Sequence, residues 1–167
     1  TLADPGAINS LSSNKNLILD TTIPTILDVT SSKTNGSYKI GDIIPITVIF
    51  SEDVNVTGIP TLTLETGLND VLVNYLSGTG TNILTFNYTV EAGQTSDDLD
   101  YVSINSFALN SGTVKDVSLN EADLTLPNPK STGSLAANKD IVINNAPIAV
   151  NDNFTINEDS GLVSFDV

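Results

Sequence analysis

The chain has 167 residues and a formal net charge of -14, and it contains no cysteine, methionine, tryptophan or histidine. The absence of Cys and His excludes a disulfide framework, a thiolate nucleophile, the usual general base and the commonest transition-metal ligand. All six cationic side chains are Lys, so the arginine fork that recognises phosphate is missing, and the negative charge repels nucleic acid and anionic lipid. We therefore expect no nucleic-acid partner. We also expect no membrane insertion, because no apolar run approaches the ~20 residues of a membrane span.

Short alternating segments dominate the chain and predict an all-β protein. Residues 43–50 place Ile44, Ile46 and Val48 on one face, and Asn35-Gly36 is a strong turn signal. No sustained 3.6-residue period is present, so short strands separated by turns favour a β-sandwich. In chain order we predict strands at residues 16–19, 25–32, 43–50, 54–57, 61–66, 71–76, 83–90, 101–109, 113–117, 124–126 and 139–144.

Residues 125–144 repeat residues 1–20 at an offset of 124, without a gap. Such self-similarity indicates a tandem repeat. We expect residues 1–22 to be the end of one module with its linker, residues 23–145 to be a complete module, and residues 146–167 to begin another. Seven of the twenty aligned pairs are identical: Thr1/Thr125, Leu2/Leu126, Pro5/Pro129, Ser10/Ser134, Leu11/Leu135, Asn14/Asn138 and Lys15/Lys139.

Four stretches, residues 37–67, 82–101, 108–127 and 133–144, together resemble the Ig-like tandem repeats of large bacterial surface proteins, including adhesins. Residues 146–152 (APIAVND), with Glu158-Asp159-Ser160, resemble the opening of the cadherin-like repeats that adjoin such modules. The resemblance implies an Ig-like Greek-key β-sandwich of seven to nine antiparallel strands. It also implies an extracellular location at a bacterial cell surface and, as partners, neighbouring repeats of the same chain.

The densest group of oxygen ligands is Asp97, Asp98 and Asp100, in a loop that also offers Glu91 and Gln94. A hard cation such as Ca²⁺ takes about six to eight oxygens, and three carboxylates in four residues repel one another without one. The loop therefore predicts a Ca²⁺ site. The alternative is a solvated acidic turn in which one Asp caps a helical turn.

Two further groups are candidates for metal binding. The second is the loop with Asp116, Asn120, Glu121 and Asp123, which lacks the central Gly and terminal Glu of an EF-hand. The third comprises the joints between modules, where a metal would stiffen a small polar contact. The joint residues are Asp20 and Asp28 at one end, and Asn144, Asn145, Asp152, Glu158 and Asp159 at the other.

Two further short motifs, one acidic and one containing a tyrosine, are also candidates for a functional or structural role. Glu52-Asp53 lies on a predicted turn that can approach either end of the module. Leu99-Asp100-Tyr101 is similar to a cadherin LDxE element, but Val102 stands where the Glu belongs. We interpret Tyr101 instead as a tyrosine corner, whose hydroxyl bonds across a loop of a sandwich.

These features favour a structural extender repeat of a large adhesin-like protein, monomeric and stiffened by Ca²⁺, with any cell-surface or glycan ligand elsewhere in the full protein. One alternative is a glycan- or protein-binding module, carried by Tyr75 and Asn82. Another is a fibre subunit that adds residues 161–167 to a neighbour's sheet edge. We do not expect an enzyme, because acid pairs meet by chance among twenty acidic residues and no Trp offers a sugar platform.

Overall fold

A computed structural model describes residues 2–15 and 19–144. This part of the chain folds into a sandwich-like all-β structure, as the alternating pattern predicts. The strand predicted over residues 16–19 and the cadherin-like segment at 146–167 lie wholly or mainly outside the described residues. The strands are β1 Ile26–Ser31, β2 Gly36–Tyr38, β3 Ile43–Thr57, β4 Thr61–Leu64, β5 Val71–Ser77, β6 Thr81–Thr89, β7 Phe107–Ala108, β8 Thr113–Lys115 and β9 Ile141–Ile143; the helical turns are α1 Leu11–Asn14 and α2 Leu135–Asn138.

One antiparallel sheet, in the order β1-β3-β6-β5-β4-β7, contains most of the strands, and β8 pairs with the end of β3. The two-stranded sheet β2-β9 is parallel, with Ser37 opposite Val142. The sequence predicts two strands at 43–50 and 54–57, but β3 runs through both. A register shift between Ile49 and Val54 accommodates the extra residues, so the first part of β3 pairs with β1 and β6 and the last part with β8.

The core forms where alternate residues of β3 and β6 point inward. Phe86 packs edge-to-face against Phe107, with 5.5 Å between ring centroids, and Phe107 packs similarly against Phe50. Burying one such side chain contributes about 1.5–3 kcal/mol, so these positions account for much of the stability. The buried side chains of the two strands are Ile44, Ile46, Val48, Phe50, Val54, Leu84, Phe86 and Tyr88.

The strand predicted at 101–109 is wrong for most of its length, because only Phe107–Ala108 forms a strand and only Tyr101, bridged to Leu64, is paired besides it. Ser103 and Ser106 close a turn instead. The Ser103 N–H donates to Oγ of Ser106 at 2.8 Å, and the Ser106 N–H donates to the Ser103 carbonyl at 3.1 Å. Serine hydroxyls compete in this way with the pairing of strands.

The repeated segments have the same local conformation. Ser10 and Ser134 cap α1 and α2, and each Oγ accepts a hydrogen bond at 3.2 Å from the N–H three residues on. Lys15 and Lys139 each donate their N–H to the carbonyl of the first residue in the turn, at 2.9 Å in both. Positive φ angles also recur at the same places: 85° at Gly6 and 62° at Lys130, then 68° at Asn9 and 87° at Gly133.

Tyr101 has the contacts expected of a tyrosine corner. Its ring is 1% exposed, and its hydroxyl donates to the Pro127 carbonyl at 2.6 Å. This bond joins the core to the segment that follows β8. It fixes the start of residues 125–144, which close the module.

We expect Tyr101→Phe to lower the free energy of unfolding by about 1–2 kcal/mol, because the Pro127 carbonyl loses its donor. Urea unfolding measures the change. Tyr38→Phe is the matched control, since the Tyr38 hydroxyl bonds the Thr34 carbonyl at 2.6 Å at an exposed position. Equal losses in the two variants would contradict a special role for Tyr101.

Candidate metal centre

Three carboxylates from distant parts of the chain meet beside the joint that precedes β1. One oxygen each of Asp20, Glu52 and Asp116 lies within 4.8 Å of the others. Among the described residues, no other group of three or more acidic side chains satisfies this distance. The centre combines one residue from each of three sequence features: the joint, the Glu52-Asp53 pair and the loop after β8.

The pairing of β3 with β8 positions two of these side chains. Lys115, the last residue of β8, lies opposite Asn55, so Asp116 follows beside the irregular part of β3 that carries Glu52. The joint runs along the same part of β3. The Thr25 N–H donates to Oγ of Ser51 at 3.0 Å, and the Ser51 N–H donates to the Thr25 carbonyl at 2.9 Å.

Asp116 is the buried member of the centre, with 1% exposure. Asn120 donates to both carboxylate oxygens, from its N–H and from Nδ2, at 2.8 Å each. Burial by itself raises the pKa of Asp116, but hydrogen bonds from Asn120 and from the backbone of Ser118 and Leu119 lower the pKa overall. The carboxyl is therefore held in its charged form.

Asp20 ties the joint to the same loop. Ser118 Oγ donates to Asp20 Oδ2 at 3.3 Å, and Asn120 Nδ2 donates to the Asp20 carbonyl at 3.2 Å. Its other carboxylate oxygen accepts the Thr22 N–H at 3.0 Å. These contacts hold the linker against the module through polar groups alone.

Glu52 is the member whose charge is least compensated. Its Oε1 is buried and has no hydrogen-bond partner within the part of the chain that the structure describes. Burial raises the pKa of Glu52, and the negative charges of Asp20 and Asp116 raise it further. The neighbouring cation, Lys115, forms an ion pair with Glu121 at 3.2 Å. A divalent cation bound by the three carboxylates would relieve this repulsion.

The donor set suits a hard cation. Carboxylate oxygens are ligands of Ca²⁺, which takes about six to eight oxygens, so water would complete the shell around three side chains. Thiolate and imidazole ligands are absent from the sequence, and soft or borderline metals favour those groups.

The loop of Asp97, Asp98 and Asp100 has a different arrangement. Asp100 is 3% exposed and accepts the N–H of Tyr101 at 3.0 Å and the N–H of Lys130 at 2.8 Å. Asp100 therefore anchors the closing segment of the module, residues 125–144. These three carboxylates do not form a close triplet like the one at Asp20, Glu52 and Asp116, and a Ca²⁺ site here stays a prediction.

Asp98, in the same loop, carries a partly buried negative charge that is poorly compensated. Its Oδ1 is buried without a hydrogen-bond partner among the described residues. Burial raises the pKa of Asp98, a hydrogen bond from the Ile141 backbone lowers it, and nearby Asp140 and Asp100 raise it, with a net upward shift. The loop borders a cavity of about 320 Å³ that is also lined by Glu65 and Lys130.

The remaining predicted ligands serve internal contacts or lie elsewhere. Asp28, on β1, accepts a hydrogen bond from Nδ2 of Asn138. Asp123 accepts the Thr125 N–H at 2.9 Å, and hydrogen bonds from Thr125 lower the pKa of Asp123. Asp152 lies outside the described residues. A metal at these positions stays a prediction.

The sequence predicts Asp20 as a candidate at the joint and Asp116 in the loop after β8, but it does not predict that they meet or that Glu52 joins them. Their proximity depends on the register between β3 and β8, which no local pattern encodes. The usable signal is the isolated Glu52-Asp53 pair at the end of an apolar alternation.

Comparison of the chain with protein-family models, with curated proteins and with solved structures finds no match. Among the residues that the structure describes, no helix has the length and apolar character needed to cross a bilayer. The repeat and the geometry of the carboxylates are therefore the observations that bear on function.

Asp100→Ala should lower the free energy of unfolding by about 1–3 kcal/mol, because the N–H of Lys130 loses a charged acceptor in a buried place. Asp97→Ala removes the same charge from an exposed neighbour and should change it by less than about 0.5 kcal/mol. Chemical denaturation at constant salt gives both values. A loss at Asp97 as large as at Asp100 would show that loop charge, and not the buried anchor, is responsible.

Proposed function

We propose that the chain is a structural extender repeat of a large extracellular bacterial surface protein of the adhesin type. In this proposal the modules follow one another along the polypeptide and hold a binding region away from the cell. Ca²⁺ bound by Asp20, Glu52 and Asp116 stiffens the joint between them. The module itself is monomeric and has no catalytic role.

The observation that carries this proposal is the repeated segment. Two stretches 124 residues apart share seven identities, the same serine-capped turn and the same pattern of positive φ angles. A segment that recurs with its conformation indicates modules built to one plan. The acidic composition and the resemblance to Ig-like surface repeats support placement outside the cell.

The position of the carboxylates supports a mechanical role for the cation. Asp20 precedes β1 and belongs to the joint, whereas Glu52 and Asp116 belong to the body of the module. A cation bound by all three links the joint to the body. Without it, the contact depends on hydrogen bonds, such as those of Ser118 and Asn120 to Asp20 and those between Thr25 and Ser51, and on the buried Pro24. Small polar contacts between units normally permit relative motion, so the cation would restrict bending.

No described contact favours the alternative of a glycan-binding module. The hydroxyl of Tyr75 accepts the Thr79 N–H at 2.8 Å, and its ring packs on the edge of Phe86. Asn82 donates to the Phe50 carbonyl at 3.4 Å. Both residues thus serve within the module. Strand addition through residues 161–167 concerns a segment outside the described residues.

Ca²⁺ should raise the melting temperature of the chain. With a dissociation constant of about 10⁻³ M, typical of extracellular modules, 10 mM Ca²⁺ stabilises the folded state by about 1.4 kcal/mol, or about 3–6 °C. Differential scanning calorimetry in excess Ca²⁺ and in EDTA measures the difference. Identical melting curves would refute the metal part of the proposal, while the tandem-repeat part would stand.

Glu52→Gln should separate the two effects of the centre. The variant removes an uncompensated charge, so in EDTA its melting temperature should be higher than that of the native chain. It also removes a ligand, so the response to Ca²⁺ should be lost or strongly reduced. Asp53→Asn, at the exposed neighbouring position, changes the same charge and should retain the full response. A Ca²⁺ response that survives in Glu52→Gln would place the cation elsewhere.

A further inference from the structure

The two copies of the repeated segment differ in what covers their apolar side chains. Residues 125–144 bury these side chains against the body of the module, whereas residues 2–15 and Leu19 leave them exposed. Leu2, Ala3, Pro5 and Leu11 line an open hollow of about 510 Å³. The equivalent pairs, with their exposed fractions, are Leu2 99% and Leu126 2%, Leu11 68% and Leu135 0%, and Leu19 88% and Ile143 2%.

The closing segment 125–144 binds the body mostly through main-chain groups. The Leu126 N–H donates to the Ile104 carbonyl at 2.9 Å, and the Gly133 carbonyl accepts the Val29 N–H at 2.8 Å. Near its end the Ile143 N–H donates to the Ser96 carbonyl at 2.8 Å. A second chain segment with the same backbone path can make the same bonds, with a small shift at Asn9, because a Cβ at the equivalent Gly133 would lie 3.0 Å from the Leu27 carbonyl oxygen.

The side chains that do matter at this contact are kept in residues 2–20. Leu2 and Leu11 are identical to the buried Leu126 and Leu135. Asn14 is identical to Asn138, whose Nδ2 donates to the Val29 carbonyl at 2.9 Å. Residues 2–15 therefore carry the apolar anchors and the amide that this surface of the body recognises.

Residues 2–15 already have the docked conformation although none of the described residues covers their apolar side. The serine cap, the closing hydrogen bond of the turn and both positive φ positions match those of the buried copy. A segment ordered before docking loses little conformational entropy when it binds. The exposed leucines thus form a ready-made face and not an unfolded tail.

We propose that residues 2–15 form a docking segment whose partner is a second body with the architecture of residues 24–124, supplied by another copy of the repeat. The body of its own module is not the partner, because residues 125–144 occupy that surface. Leu2 and Leu11 bury in the core of the partner body, and Asn14 binds the backbone of its first strand. This inference deepens the tandem-repeat function proposed above and is independent of the cation.

A chimeric chain tests whether the two segments are interchangeable. Residues 125–144 of the full chain are replaced by the sequence of residues 1–20, and unfolding is followed in EDTA. The chimera should unfold cooperatively within about 10 °C of the native chain, because the apolar and backbone contacts are kept. In the chimera, Leu135→Ala should lower the melting temperature by at least about 5 °C. Leu11→Ala in the native chain should change it by less than about 2 °C.

Either of two results with the chimera would overturn the proposal: no cooperative transition, or a melting temperature indifferent to Leu135→Ala. A second measurement, on a chain in which residues 125–144 are not exchanged, does not depend on whether the chimera folds. The full chain with Leu135→Ala is titrated with a peptide of residues 125–144, at a concentration that raises its melting temperature. The peptide of residues 1–20 should raise it too, and the same peptide with Leu11→Ala and Asn14→Ala should not. A peptide of residues 1–20 without effect would refute the proposed partner. The EDTA buffer separates this outcome from any failure of the Ca²⁺ proposal.

Discussion

The 15-residue strand β3 is the element on which the rest of the module depends. It pairs with β1 on one side, with β6 on the other and, after its register shift, with β8. The shift allows one continuous strand to belong to the main sheet and also to pair with β8. It also places Glu52 where the backbone departs from regular pairing, beside Asp116. The fold and the candidate centre therefore depend on the same irregularity.

The sequence predicts strands best where apolar residues alternate with polar ones and the apolar side chains are completely buried. From Ile44 to Phe50 in β3 and from Leu84 to Tyr88 in β6 every second side chain is buried, so alternation identifies both strands and their inner faces. It fails at residues 101–109, where serine hydroxyls close a turn, and it does not reveal the parallel pairing of β2 with β9. Proline has no N–H to donate to a strand ladder, so Pro45 within β3 needs a place where no donor is required. β3 is a central strand, but β1 ends its pairing at Ile46, so Pro45 stands just beyond that neighbour.

The candidate centre could be predicted only in parts. Glu52 has an acidic neighbour in Asp53 and Asp116 lies near Glu121 and Asp123, whereas Asp20 stands alone among apolar and polar residues, and the meeting of the three is a property of strand register. Local density favours the loop of Asp97 to Asp100 instead, because three carboxylates in four residues suggest a shared ligand. In the structure, the carboxylate of Asp100 accepts hydrogen bonds from the backbone N–H groups of Tyr101 and Lys130. Such charge-assisted bonds compensate a buried negative charge. Among the described residues, both places contain a buried carboxylate oxygen without a hydrogen-bond partner, Oδ1 of Asp98 and Oε1 of Glu52, but only at Glu52 do three carboxylates converge.

Asp20 connects the two proposals in physical terms. Residues 2–15 would dock onto one body, while Asp20 is already held by Ser118 and Asn120 of the next. The free linker between two such bodies is then short, because both of its ends are bound. Bending at the joint would require breaking either the apolar contact of Leu11 or the polar contact of Asp20. A cation would strengthen only the second of these, so under the two proposals the segment docking would set the basic stiffness of the array and Ca²⁺ would adjust it.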